Sequence, residues 1–328
     1  MFSSALQSVL FSSRPSSLDT AQPSSQGITL SATRPPLGWI GTGVMGRPMV
    51  EHLLRHGFPV SVYNRTRSRA EPLLAAGATW CDSPAEVAAT SEIVCSIVGM
   101  PSDVESIYFG NRGVFSALRP RSIVCDLTTS RPELAKRLAT TAQTLGAAGL
   151  DAPVTGAEIG AIRGTLSIFV GGDATAFERI RPVLSAFGQK ILRFGDAGAG
   201  QQAKLANQIA LAGAIIGVCE SIRFAQKAGL HLHDWWELVK SGASGSTAMV
   251  NLGGKILDND MSPGFFVEHF IKDLGICLDE CRQLELQLPG LELAERLYRE
   301  TAVHGFARSG IQSLFSGIYT ESSGQYHR

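Results

Sequence analysis

At 328 residues the chain has room for two domains and a large core. Hydrophobic residues make up 44% and charged residues 18%, the balance of an ordinary globular protein rather than of a disordered or fibrous one. Lysine plus arginine equals aspartate plus glutamate, 29 against 29, which removes any net-charge reason to expect nucleic acid or an anionic membrane as a partner.

Residues 1–35 differ in composition from the rest: Ser, Thr, Gln and Pro dominate, Arg14 and Arg34 are cations, and Asp19 is the sole acid. That is the pattern of a mitochondrial or plastid transit peptide. The alternative is a plain disordered tail, which would leave the protein in the cytoplasm. From residue 37 onward, short apolar runs alternate with amphipathic stretches. Residues 37–40 read as a strand, 47–56 as a helix closed by Gly57, and 59–63 as a second strand. Between that first strand and first helix lies Gly41-Thr42-Gly43-Val44-Met45-Gly46. In this setting the three glycines serve a dinucleotide: a tight turn, an open approach for the pyrophosphate, and close packing of helix on strand. The helix N-terminus adds free N–H groups for the phosphates. An NAD site normally carries an acid at the end of the second strand, about 20 residues on, for the ribose hydroxyls. Here the chain reads Tyr63-Asn64-Arg65-Thr66, then Arg67-Ser68-Arg69, with no acid. Arg65 and Thr66 would pair with a 2′-phosphate that a carboxylate would repel, so NADP(H) is the expected cofactor and NAD(H) the alternative. Arg67 and Arg69 read as a solvated helix face.

Ser83-Pro84-Ala85-Glu86 is a capping box with proline at the first helical position. Strands follow at 93–98 and 123–127. Ser130 with Glu133 is expected to cap the next helix, which runs to about Gly146, and strands at 149–154, 166–170 and 190–194 complete the set. Val98, Gly99 and Thr129 stand at carboxyl ends of strands, where parallel sheets bind ligands. This alternation predicts an α/β fold, a Rossmann-type, doubly wound, mostly parallel sheet over residues 36–197. After Gly195 no strand pattern follows. Helical periodicity runs from Gln201 to the end, with 201–228 as one helix of about 40 Å, so residues 198–328 read as an all-helical second domain. The apolar run at 209–219 is far shorter than the ~20 residues a bilayer span needs, and no membrane partner is expected. Cys277 and Cys281 can share a helix face and read as buried small hydrophobes. His231 and His233 lack a third ligand in a familiar spacing and read as a helix start, so no metal is expected.

Several segments, in order over residues 36–320, resemble the β-hydroxyacid dehydrogenases. They are Gly38-Trp39-Ile40 entering the glycine loop, Asn64-Arg65-Thr66, and Asp151-Ala152-Pro153-Val154-Thr155-Gly156 with Ala161 and Gly164. Gly198-Ala199-Gly200-Gln201 before Lys204-Leu205-Ala206-Asn207-Gln208, and Lys272-Asp273, complete the likeness. The segment from Lys204 to Gln208 is most similar to tartronate semialdehyde reductases, whereas residues 269–278 resemble plant proteins called 3-hydroxyisobutyrate dehydrogenase-like. The resemblance implies an enzyme that interconverts a small β-hydroxy acid and its semialdehyde or keto acid; glyoxylate and succinic semialdehyde are alternative substrates. It also implies Lys204 as the proton donor and acceptor. The chemistry agrees: hydride delivery to a carbonyl creates an alkoxide that must be protonated, and a desolvated lysine has a lowered pKa suited to either direction.

Asn207 and Gln208 lie on the helical face of Lys204, where each could hold substrate or lysine. Many relatives carry asparagine where Gln208 stands. Thr155, Gly156 and Ala157 match a serine-glycine-glycine segment that cradles the substrate carboxylate. Lys272 matches a lysine near the nicotinamide, Asp273 is expected to orient it, cap the helix or meet substrate, and Phe265 matches a pocket-lining phenylalanine. A homo-oligomer is expected, since a helical domain with many apolar faces usually buries some against a copy. Two other classes share the scaffold, a non-catalytic binding module and an imine reductase. Some relatives of the first kind lose the lysine and those of the second usually replace it, whereas this chain keeps it as Lys204. A 6-phosphogluconate dehydrogenase would carry a His-Asn pair after the lysine, which is missing here.

Overall fold

The computed structural model describes residues 34–320; the targeting reading of residues 1–33 lies outside the described residues. Strands β1 (Leu37–Ile40), β2 (Val60–Tyr63), β3 (Thr79–Trp80), β4 (Ile93–Ser96), β5 (Ile123–Asp126) and β6 (Ala148–Asp151) pair in parallel in the order β3-β2-β1-β4-β5-β6. Beyond β6, β7 (Val154–Thr155) and β8 (Leu166–Gly172) pair antiparallel, β8 also runs antiparallel to β6, and β9 (Gly188–Gly195) runs parallel to β8. The order reverses between β1 and β4, so the chain leaves their carboxyl ends toward opposite faces of the sheet, the helix after β1 on one and the helix after β4 on the other, and a crevice for a ligand opens between.

Every residue of β1, β4 and β5 is buried. Such strands carry no alternation because helices cover both faces of a parallel sheet. On one face sit α1 (Gly46–Arg55), α2 (Glu71–Ala75) and, further along the chain, α6 (Ala157–Arg163) and α7 (Ala174–Leu184), packing Met49, Leu53, Leu73, Phe177 and Ile180 inward. On the other, α3 (Pro84–Thr90), α4 (Pro101–Phe109) and α5 (Pro132–Thr144) contribute Val87, Val104, Tyr108 and Leu138. Trp39 is fully buried, edge-on to Phe187 with ring centroids 5.8 Å apart, and its indole N–H donates to Gly41 O at 2.9 Å.

Helix α8 (Ala199–Lys227) leaves the sheet and runs 29 residues, about 43 Å. It is followed by α9 (Leu232–Val239), α10 (Gly254–Leu257), α11 (Val267–Gln283) and α12 (Pro289–Thr301). Leu205, Ile215, Cys219 and Ile222 of α8 form a second core with Phe270 and Leu274 of α11 and Tyr298 of α12. By length and composition α8 satisfies the requirement for a bilayer span, which the apolar run at 209–219 understated. Its apolar face here is the core of the helical half.

Three expectations need correction, and one strand was not foreseen. The helix after β5 begins at Pro132 with Arg131 as its N-cap, and no side chain caps it; the Ser130 N–H instead donates to Gln201 Oε1 at 2.9 Å. The stretch 149–154 is two strands, because Pro153 has no N–H for a ladder and the chain bends at Ala152-Pro153. Strand β3 is only two residues long and carries no periodicity to read. In the capping box Ser83 Oγ accepts from Glu86 N at 3.2 Å as expected, but the Glu86 carboxylate reaches back to Asp82 N, 2.8 Å away.

Candidate active site

The glycine loop ends β1 at the crevice. Gly41 has φ of +99°, and a Cβ there would fall 2.0 Å from Ile97 O, so only glycine makes this turn. A Cβ on Gly46 would strike Gly41 O at 1.9 Å, whereas one on Gly43 would meet nothing within 4 Å. The space over Gly43 is where a pyrophosphate can approach the backbone. Thr42 Oγ1 is buried without a hydrogen-bond partner, an orphan that a phosphate oxygen would satisfy. Val44 is exposed and Met45 packs on the core. Asn64 fastens this loop to the end of β2: its Oδ1 accepts from Thr42 N at 3.0 Å and its Nδ2 donates to Thr66 O at 2.9 Å. Arg65 extends into solvent and pairs with Asp103 at 3.2 Å. The neighbouring Arg67 guanidinium lies over Trp80, 5.0 Å from its ring centroid. After β4, Val98 N–H donates to Thr128 Oγ1 at 3.0 Å, with Gly99 next to it. These residues fit a dinucleotide.

Six of the polar residues singled out above meet in one chain of contacts between α8, α11 and the loop after β5. Lys204, 6% exposed, donates from Nζ to Gln208 Oε1 at 2.7 Å. That oxygen also accepts from Asn207 Nδ2 at 2.9 Å, while Gln208 Nε2 donates to Asp273 Oδ2 at 2.6 Å. Lys272 Nζ lies 2.6 Å from Asp273 Oδ1, out of hydrogen-bond alignment, and donates to Thr129 O at 2.6 Å. Asp273 is a pure acceptor when ionised, so it fixes the Gln208 amide with nitrogen outward and oxygen toward Lys204. Burial pushes the Lys204 ammonium down to about 8; the Asp273 carboxylate opposes this and the nearby Lys272 charge adds to it.

Thr155, Gly156 and Ala157 form the turn from β7 into α6, with Gly156 at φ +130° and Ala157 at +53°. Ala157 thus holds a backbone shape that glycine adopts freely, which is strain local to this turn. Phe265 packs on Phe270, ring centroids 5.5 Å apart, at the edge of the helical core.

Three further residues have positioning roles; the family's motif segments contained Gln201 and Asp151 without assigning them these contacts, and Asp126 was not singled out. Gln201, fully buried, donates from Nε2 to Thr128 O at 2.8 Å and accepts from Ser130 N. Asp151 caps α8 from across the sheet, accepting from Gly198 N at 2.8 Å and Gln201 N at 2.7 Å. Asp126 Oδ1 accepts from Thr128 Oγ1 at 2.7 Å and Ser96 Oγ at 2.8 Å, which ties the ends of β4 and β5 together. Burial pushes its carboxyl up to about 6. Spacing could have hinted at Asp126 and Asp151, each an acid ending a strand.

Residues 36–195 match the NAD binding domain of 6-phosphogluconate dehydrogenase, and residues 198–316 the NAD-binding domain of NADP-dependent 3-hydroxyisobutyrate dehydrogenase. An Arabidopsis thaliana protein, "Probable 3-hydroxyisobutyrate dehydrogenase-like 1, mitochondrial", is 46% identical over 296 residues, covering 90% of this chain and 88% of its own. The chain belongs to the 3-hydroxyisobutyrate dehydrogenase family. It is therefore an NAD(P)-dependent oxidoreductase acting on CH–OH groups. The 2-hydroxy-3-oxopropionate reductase of Escherichia coli is 35% identical over 282 residues, 86% of this chain and 96% of that relative. Among solved structures, Psf3 in complex with NADP+ and 2-OPP is similar with a TM-score of 0.81 and 28% identity, covering 85% of this chain and 99% of that one.

Proposed function

We propose that this family member uses NADP(H) to interconvert a small β-hydroxy acid and its semialdehyde or keto acid, with Lys204 as general acid and base. The observation that carries the reading is the buried Lys204 ammonium, lowered to about 8 and aimed by Gln208. When bound, the nicotinamide supplies or accepts the hydride. Lys204 gives its Nζ proton to the oxygen that becomes the alcohol, or takes that proton back when the alcohol is oxidised. A group poised near the operating pH serves both directions. Gln208 Oε1 holds the ammonium, Asn207 donates to that same oxygen, and Asp273 keeps the Gln208 amide from turning over. The Thr155 hydroxyl and the Gly156 and Ala157 N–H groups hold the substrate carboxylate, and the methyl groups of Thr155 and Ala157 favour small substrates.

Arg65 and Thr66, at the end of β2 with no acid beside them in sequence, support NADP(H) over NAD(H). The E. coli relative's name supports a three-carbon semialdehyde acid, and the Arabidopsis relative's name a branched one. The test is a panel of 3-hydroxyisobutyrate, glyoxylate, succinic semialdehyde and tartronate semialdehyde with each cofactor. Purified protein that binds NADPH yet turns over none of these would sink the assignment. The Arabidopsis relative's name also supports a mitochondrial address for this chain. A reporter fused to residues 1–35 that stays diffuse in the cytoplasm would contradict that address.

A further inference from the structure

Arg65 already has a partner. Its guanidinium is 86% exposed and reaches back from the end of β2 to the Asp103 carboxylate, Nη1 to Oδ1, 3.2 Å. Asp103 is the third residue of α4, and its other oxygen accepts from Met100 N at 3.1 Å, so the side chain is pinned at the start of that helix. A Cβ built on Gly99 would lie 3.5 Å from the same Oδ2. The carboxylate therefore stands between the two strand ends, β2 and β4, that flank the glycine loop. It is fixed while the arginine is free to swing.

We infer that Asp103 is a specificity-determining residue: it latches Arg65 in the free protein, and a 2′-phosphate must draw the guanidinium away from it. The inference rests on the reading of Arg65 as the 2′-phosphate partner. NADP(H) binding exchanges one charge-assisted contact of Arg65 for another. NAD(H), with a ribose hydroxyl in that place, makes no such exchange. Asp103 thus narrows the preference for NADP(H) and keeps NAD(H) in competition. An exposed ion pair of this kind shifts an equilibrium by at most roughly fivefold, and salt screens it.

The test is fluorescence titration of the full chain with NADPH and with NADH. Asp103→Asn keeps an oxygen for Met100 N and removes only the charge. It is expected to tighten NADPH about two- to fivefold at low salt, less at high salt, with NADH unchanged. In an Arg65→Ala background the same substitution should have no effect. An unchanged NADPH-to-NADH ratio in Asp103→Asn, with Arg65→Ala still losing NADPH selectively, overturns the latch and leaves the Arg65 reading standing. A gain that persists in the Arg65→Ala background also overturns it, since the carboxylate would then act on the phosphate directly. Equal loss of both cofactors in Arg65→Ala overturns the reading beneath it.

Discussion

Lys204 has one protein hydrogen bond and a pKa near 8, and both follow from its depth. If it moves the proton, kcat/KM for alcohol oxidation should rise with pH through about 8, and that for aldehyde reduction should fall over the same range. A profile flat through that range, with the chemical step limiting, would take Lys204 out of the proton's path. Lys204→Ala should lower turnover by roughly 10²–10⁴-fold while NADPH still binds. Lys204→Arg should not restore it, because a guanidinium keeps its proton. Thr155→Val should instead raise KM for carboxylated substrates more than it lowers kcat, as a ground-state anchor would. Lys204, Asn207 and Gln208 were legible because they sit within one helical turn. The direction of the Gln208 amide was not, since it is set by Asp273, 65 residues away in sequence.

At the scale of elements, β1, β2, β4 and β5 were readable to within two residues at either end: β1, β4 and β5 because fully buried parallel strands are short apolar runs, and β2 because its burial alternates. The loop after β5 was misread. Its Ser130 is drawn to α8 by Gln201, a contact between segments about seventy residues apart that no local pattern announces. Just before that loop, β5 ends in Asp126, with its carboxyl raised to about 6 by burial. The folded protein keeps this proton up to that pH, whereas an unfolded chain loses it near 3.9. The group's stabilisation is therefore full below the lower value and lost as pH rises to the upper. Relative to Asp126→Asn, the wild type should lose roughly 3 kcal/mol of stability between about pH 4 and pH 7. Parallel urea midpoints for the two proteins across that range would refute this.

At the scale of the molecule, Phe224, Leu238 and Val303 are 76%, 77% and 83% exposed, all on the helical half. We expect a second copy to cover part of this surface, and sedimentation at micromolar concentration should show a dimer or higher symmetric species. A monomer would count against it.

The two halves also meet along a seam. Gln201 donates to Thr128 O and accepts from Ser130 N, Lys272 donates to Thr129 O, and Asp151 accepts from the amides that open α8. Three consecutive residues of one loop, Thr128, Thr129 and Ser130, thus carry the main-chain ends of contacts from both α8 and α11. In deuterium exchange the Ser130, Gly198 and Gln201 amides should therefore behave as one unit, taking up label together and late, and doing so regardless of whether the crevice is closing on a ligand. Substrate entry must then turn about some other line than the junction of β5 with α8. Faster uptake at Ser130 than at Gly198 would mean that this seam is itself the hinge.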